Sequence, residues 1–285
     1  MAAQQYAAQF PGDIFFVVDA YSDPDQELQL VEGNTLLAGG KFLAKCGLTY
    51  FPKVGWQCGD FAYYAARSAL PNYDYYWMIE PDVRITYNDD GGFFRLFEAT
   101  TADYLGSNFG RRPPSWGWHK SVARSVNGNV YGATFPISRS SARLLDFLTL
   151  RRAEYCQEYK YNPSDPKEFA NDEAFFASFA VFGGFKCESV AKRHPQIMTH
   201  CSSAVPILEE EVPHLPGKVL HPVCRGARAK QKFRRMLRSS PKKLAQRMEE
   251  VMARFGEELW IESSGLTIDE VNLAASGSGL HKRLG

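Results

Sequence analysis

The chain has 285 residues, of which 45% are hydrophobic and 14% aromatic. That is enough for one large α/β domain or two small ones with a sizeable core. A net charge of +1 identifies no polyanionic partner, so any charged partner has to be read from local clusters. Six scattered cysteines without a C-x-x-C pair predict reduced thiols in a cytosolic protein and argue against zinc. No run of about 18 apolar residues suggests a transmembrane helix, and MAAQQYAAQFPGDIFFVV lacks the features of a secretory signal. The expectation is a soluble, cytoplasmic chain, at most peripheral to a membrane.

In chain order, AAQQYAAQF reads as a helix where a nucleotide-binding α/β domain would open on a strand. Either the sheet starts differently here or an upstream strand is absent. IFFVVDA (14–20) is a continuous apolar run closed by YSDPD, the pattern of a buried strand. GDFAYYAARSAL (59–70) reads as a helix stopped by Pro71-Asn72, and YYWMIEPDV (75–83) as the next strand. ADYLGSNF (102–109) and NVYGATFPISR (129–139) follow as strands. SSARLLDFLTLRRAEYCQEY (140–159) predicts a helix capped by Ser140 or Ser141, and NDEAFFASFAVFGG (171–184) a helix closed by glycine. FKCESVA (185–191) and IMTHCSS (197–203) complete the strands. The alternation predicts an α/β fold with a largely parallel central sheet flanked by helices, spanning 1–223. Residues 224–285 read as a basic helical extension, with LAQRMEEVMARF (244–255) as a helix and a Gly/Ser-rich tail.

Ligands of parallel α/β sheets bind outside the carboxyl ends of the strands. Acids stand at three such ends or following turns: Asp19, Asp60 and the pair Glu80/Asp82 in EPD. Carboxylates there suit a ribose hydroxyl, a base edge, or a divalent cation bridging phosphates. Asp89-Asp90-Gly91-Gly92 is ordinary turn chemistry.

CGDFAYYAA, an aromatic strand and then EPDVR together resemble the core of GT-A-fold glycosyltransferases, with EPD where their D-x-D motif stands. The dozen residues of YDYYW-x-x-EP are also similar to fungal α-mannosyltransferases. The resemblance implies a transferase acting on a nucleoside diphosphate sugar with Mn²⁺ or Mg²⁺ held by Asp82 and Glu80. It also implies a late metal-binding histidine, His221, with His200 as the substitute. Asp19 and Asp60 would face the donor, and Arg84 would add charge at its diphosphate. Asp172, favoured over Glu173, would be the general base of an inverting enzyme, although both also suit the start of a helix. The mannosyltransferase-like stretch implies retention instead, and both outcomes stay open.

In GRRPPSWGWHKS (110–121), Trp116 and Trp118 either stack on the acceptor sugar or plug the core. Residues 225–247 hold many Lys and Arg and no acid, which suits an anionic membrane surface and a saccharide or lipid-linked acceptor. A solvated face is the plainer reading, and no nucleic-acid module is present. The alternatives are a nucleotidyltransferase, which would normally carry a Gly-rich loop not found here, and a non-catalytic nucleotide-sugar binding module.

Overall fold

The computed structural model describes residues 10–88, 92–201 and 205–277. The helix read over residues 2–10, except Phe10, lies outside them, as do the turn acids Asp89 and Asp90 and Ser202 and Ser203. The chain divides into two compact units, one of Met1–Pro81 with Tyr87–Thr199 and one of Asp82–Thr86 with His200–Gly285.

In the first unit the β-branched and aromatic runs become short strands. β1 (Phe16–Ala20) pairs in parallel with β3 (Thr35–Gly39), and β2 (Gln29–Val31) pairs antiparallel with β3. A second sheet is built from β4 (Tyr75–Ile79), β5 (Tyr104–Gly106), β6 (Ile137–Ser141) and β7 (Cys187–Ser189). Its order is β7-β5-β6-β4, with only the β7–β5 pair parallel. Among the described residues, small mixed sheets therefore replace the largely parallel central sheet that the alternation predicts. One cause lies in the run 129–139, which is interrupted over residues 133–136 and holds, just before its second strand, Pro136, which cannot donate to a ladder. Tyr131–Gly132 pairs with Gly110–Arg111, while Ile137–Ser141 reaches β4 and runs antiparallel to it. β1 is also less buried than its apolar run predicts. It lies at a sheet edge, and Phe16 and Val18 are 47% and 44% exposed.

The helices follow the sequence closely. They are α1 (Asp60–Ala69), α2 (Ala142–Glu158) and α3 (Asp172–Phe182). Ser141 Oγ accepts from Leu144 N at 3.3 Å, and Asn171 Oδ1 accepts from Ala174 N at 3.0 Å, so each caps its helix. α3 is apolar around its circumference and is correspondingly buried, with Phe175 and Phe176 fully enclosed.

In the second unit, Arg84–Ile85 pairs antiparallel with Val219–Leu220, and Ile207–Leu208 pairs in parallel with Val223–Cys224. Four helices follow: α4 (Gly226–Ser239), α5 (Pro241–Phe255), α6 (Glu257–Ser264) and α7 (Ile268–Ala275). Phe233, Leu244, Val251, Trp260 and Val271 form their core together with Leu208 and Cys224. A boundary at 223/224 therefore falls inside this unit. The basic run is amphipathic: Arg247 is buried against Glu211, while Arg234, Arg235 and Arg238 are exposed. No described helix is long and apolar enough to cross a membrane.

Candidate metal centre and active site

The short ladder of the second unit fixes Asp82. Val223 N donates to Asp82 O at 2.8 Å, and Arg84 stands opposite Leu220, which brings His221 beside the Asp82 side chain. His221 Nε2 lies 3.6 Å from Asp82 Oδ1. The other carboxylate oxygen, Oδ2, accepts from Arg228 Nη2 at 2.7 Å and has Lys232 Nζ at 3.6 Å. Asp82 is only 4% exposed. A carboxylate that deep needs opposite charge beside it, and α4 supplies that charge.

The tripeptide Glu80-Pro81-Asp82 carries a second acid to the same place by chain connection. One ligand atom from each of Glu80, Asp82 and His221 lies within 4.8 Å of the other two. Two carboxylate oxygens and one imidazole nitrogen can hold a divalent ion and suit Mn²⁺, with Mg²⁺ accepting the oxygens. His200, the substitute ligand, is outside this group. Its carbonyl accepts from His221 N at 3.0 Å, and its pKa is lowered by burial and then by Lys218 and Arg247. Arg84 turns to Glu209, donating from Nε and Nη2 at 3.1 Å each.

In the first unit, Glu80 follows β4, its backbone N–H donating to Pro136 O at 2.8 Å. Asp172 opens α3 and is 6% exposed. Its Oδ2 accepts from Gly59 N at 3.0 Å and its Oδ1 from Glu173 N at 2.6 Å. A Cβ on Gly59 would stand 2.7 Å from Asp172 Oδ2, so the lack of a side chain admits the carboxylate this close. Burial raises the Asp172 pKa well above the usual carboxylate range, and the charges of Glu173, Asp60 and Glu80 add to the rise. The Glu173 N–H opposes this shift without cancelling it. A carboxylate that holds its proton more tightly is a stronger base. Glu173 is partly buried, and its carbonyl accepts from Ala133 N at 3.3 Å.

Asp60, expected at the donor, is held inside the first unit by other side chains. It is fully buried, its two oxygens accept from Arg152 Nη2 at 2.9 Å and Nε at 2.8 Å, and Tyr64 Oη donates to it at 2.8 Å. Asp19 is exposed and lies against Gly55, where an added Cβ would be 2.0 Å from Asp19 Oδ2. Trp116 and Trp118 are partly buried and pack on the core, Trp116 between Gly132 and the Arg112 guanidinium. The exposed tryptophan is Trp56, at 72%. An apolar cavity of about 290 Å³ between β1, β4 and α1 is lined by Phe15, Phe16, Tyr76 and Trp77 and has Glu80 at its margin.

Sequence reasoning missed Arg228 and Lys232, which sit in a run read as one basic face; only the pairing with Asp82 separates them from their neighbours. It also missed Arg152, whose signal is an arginine on the apolar side of LLDFLTLRRAEYC.

No family model matches the sequence, and no curated protein matches it. A solved structure of core-mannan synthase A from Aspergillus fumigatus, in a form with manganese and GDP, matches at 12% identity and a TM-score of 0.30. The match covers 56% of this chain, which spans 58% of that one.

Proposed function

We propose that the chain is a metal-dependent glycosyltransferase that moves a sugar from a nucleoside diphosphate sugar to a saccharide or glycolipid hydroxyl. The observation that carries this reading is the grouping of Glu80, Asp82 and His221 around one point. A GT-A-type arrangement belongs to the reading and rests on the CGDFAYYAA and YDYYW-x-x-EP stretches. Glu80, Asp82 and His221 hold Mn²⁺ or Mg²⁺, which when bound supplies Lewis-acid stabilisation of the leaving diphosphate. Asp172 takes the proton of the acceptor hydroxyl, Glu173 stands beside it, and Asp19 contacts the donor. Trp116 and Trp118 border the acceptor path.

Donor turnover should vanish in EDTA and return with added Mn²⁺. Asp82→Ala should lower it by about 10²-fold or more, matching several kcal/mol of charge stabilisation. Full turnover in EDTA would remove the metal from the reaction. A non-catalytic nucleotide-sugar binding module is the second reading, favoured by the compensation of Asp82 by Arg228 and Lys232. Tight donor binding without transfer across a panel of nucleotide sugars would select it.

The reading also places the chain in the cytoplasm, against an anionic membrane, through residues 225–247. Arg234, Arg235 and Arg238 are exposed on α4 and can each contribute about 1 kcal/mol near such a surface. Sedimentation with phosphatidylserine vesicles should be strong at low salt, weak at high salt and lost in the triple alanine variant. Equal sedimentation with neutral vesicles would rule out a charge-driven attachment.

A further inference from the structure

A cavity over the face of a strand touches alternate residues, because successive side chains point to opposite sides. The apolar cavity of the first unit instead touches every residue of 12–17 and every residue of 75–81. It therefore runs along the edges of β1 and β4, each of which is outermost in its sheet. The hydrogen bonds show which main-chain groups face it. Glu80 N donates to Pro136 O and Ala142 N to Asp74 O, each at 2.8 Å. Alternation along the antiparallel ladder then turns Tyr75, Trp77 and Ile79 away from β6. On the other strand, Phe16 N donates to Asn34 O at 2.9 Å, and Ile14 O accepts from Asn34 Nδ2 at 3.2 Å. Phe15, Val17 and Asp19 are thereby turned away from β3. Among the described residues, no further main-chain bond is made at these two outward edges. Tyr73 Oη donates to Asp13 Oδ2 and joins the starts of the two strands. That bridge is made by side chains, which suits a gap of two strand spacings, about 9.6 Å.

We propose that this slot binds an extended polypeptide segment of five apolar residues, the length of β1 and β4, taken up as the strand between them. Main-chain donors and acceptors repeat on both walls every two residues, about 6.8 Å. An extended peptide offers the matching repeat on both of its own edges. A small apolar molecule leaves those groups unpaired. The walls above and below select the side chains. Ala62 and Ala66 on α1, with Leu70 just after it, form one side. Tyr76 points that way, its Oη donating to Leu70 O at 2.6 Å. Trp77 takes the opposite face, where its ring lies 5.3 Å from that of Phe94. An incoming strand meets apolar surface on both faces, so its sequence is a continuous apolar run. Its uptake joins the two small sheets of the first unit through one ladder.

The probe is the peptide Lys-Lys-Val-Ile-Val-Ile-Val-Lys-Lys, whose lysines keep it in solution. It is titrated calorimetrically into the full chain in EDTA, which keeps the outcome separate from the metal reading. A control peptide carries N-methyl groups on alternate residues of the apolar run. It keeps the side chains and loses the donors along one edge. The unmethylated peptide should bind, and the control should bind more weakly by roughly 2- to 10-fold for each bond removed. Amide exchange at Val17, Tyr75, Trp77 and Ile79 should slow on binding, while exchange in α5 is unchanged. Ala66→Phe fills one wall and should lower the affinity by about 10-fold. Where that variant fails to fold, the pair of peptides decides. Equal binding of both peptides, or binding of neither, would overturn the proposal. Anilinonaphthalene sulfonate held in the slot and not displaced by the peptide would overturn it too. Protection of the same amides that rises with chain concentration, without peptide, would assign the slot to a second copy and overturn it as well.

Discussion

Asp172→Asn should lower transfer by roughly 10²–10⁴-fold, the usual contribution of a general base, while donor binding survives. Asparagine keeps the volume but cannot take a proton. It has one acceptor oxygen where Asp172 uses two, so it keeps only one of the bonds from Gly59 N and Glu173 N. The same substitution removes a buried group whose ionisation costs stability, so the stability of the variant relative to the unmodified chain should rise with pH. Burial and three neighbouring acids raise the folded-state pKa of Asp172, so the native state retains a proton that the unfolded chain has released. This interval runs from about pH 4, the ordinary aspartate value, up to the raised folded value. The stability conferred by that proton is complete below the interval and is lost as pH rises through it. The melting temperature of the variant relative to the unmodified chain should therefore be lowest near pH 4 and rise toward pH 8. Transfer by the unmodified chain should rise with pH across the same interval, as deprotonation frees the base. Transfer near the unmodified rate, with a melting difference flat in pH, would reduce Asp172 to a helix-start residue and remove the main support for inversion.

This residue shows what sequence can carry. Asn171-Asp172-Glu173 ahead of AFFASFA identifies a helix start from local chemistry alone, and the cap from Asn171 to Ala174 is present. Ser141 is legible in the same way, because capping is decided within four residues. The acid-x-acid segment is local too. Pairing between distant segments is not. Whether 129–139 continues as one strand depends on which partner lies beyond Pro136, and β6 takes β4 there, antiparallel. Apolar content likewise marks β1 as a strand without saying that it lies at a sheet edge. At the site, the charge pattern of 225–247 averages over a helix whose faces do different things. Arg228 and Lys232 meet Asp82, Arg247 meets Glu211, and the exposed arginines meet solvent.

Arg152→Met should destabilise the fold by about 3–5 kcal/mol, because it leaves Asp60 buried and uncompensated. At about 2–4 °C per kcal/mol for a protein of this size class, the melting temperature should fall by about 10 °C. Arg152 and Asp60 are both fully buried and joined by two short contacts between α2 and α1. The guanidinium also lies 3.9 Å over the Phe175 ring and donates from Nη1 to Ala170 O at 3.0 Å. Ala170 immediately precedes the α3 cap and Asp172, so the substitution should lower transfer as well as stability. Pairing Arg152→Met with Asp60→Leu removes both charges and should recover most of the loss, since an apolar pair of similar volume often replaces a buried ion pair without penalty. Tyr64 Oη then loses its acceptor at 2.8 Å, which leaves a residual cost of about 1–3 kcal/mol. The double variant should therefore melt between the single variant and the unmodified chain. Melting of the double variant at or below Arg152→Met would mean that the two charges are not coupled, and that packing against Phe175 carries the stability instead.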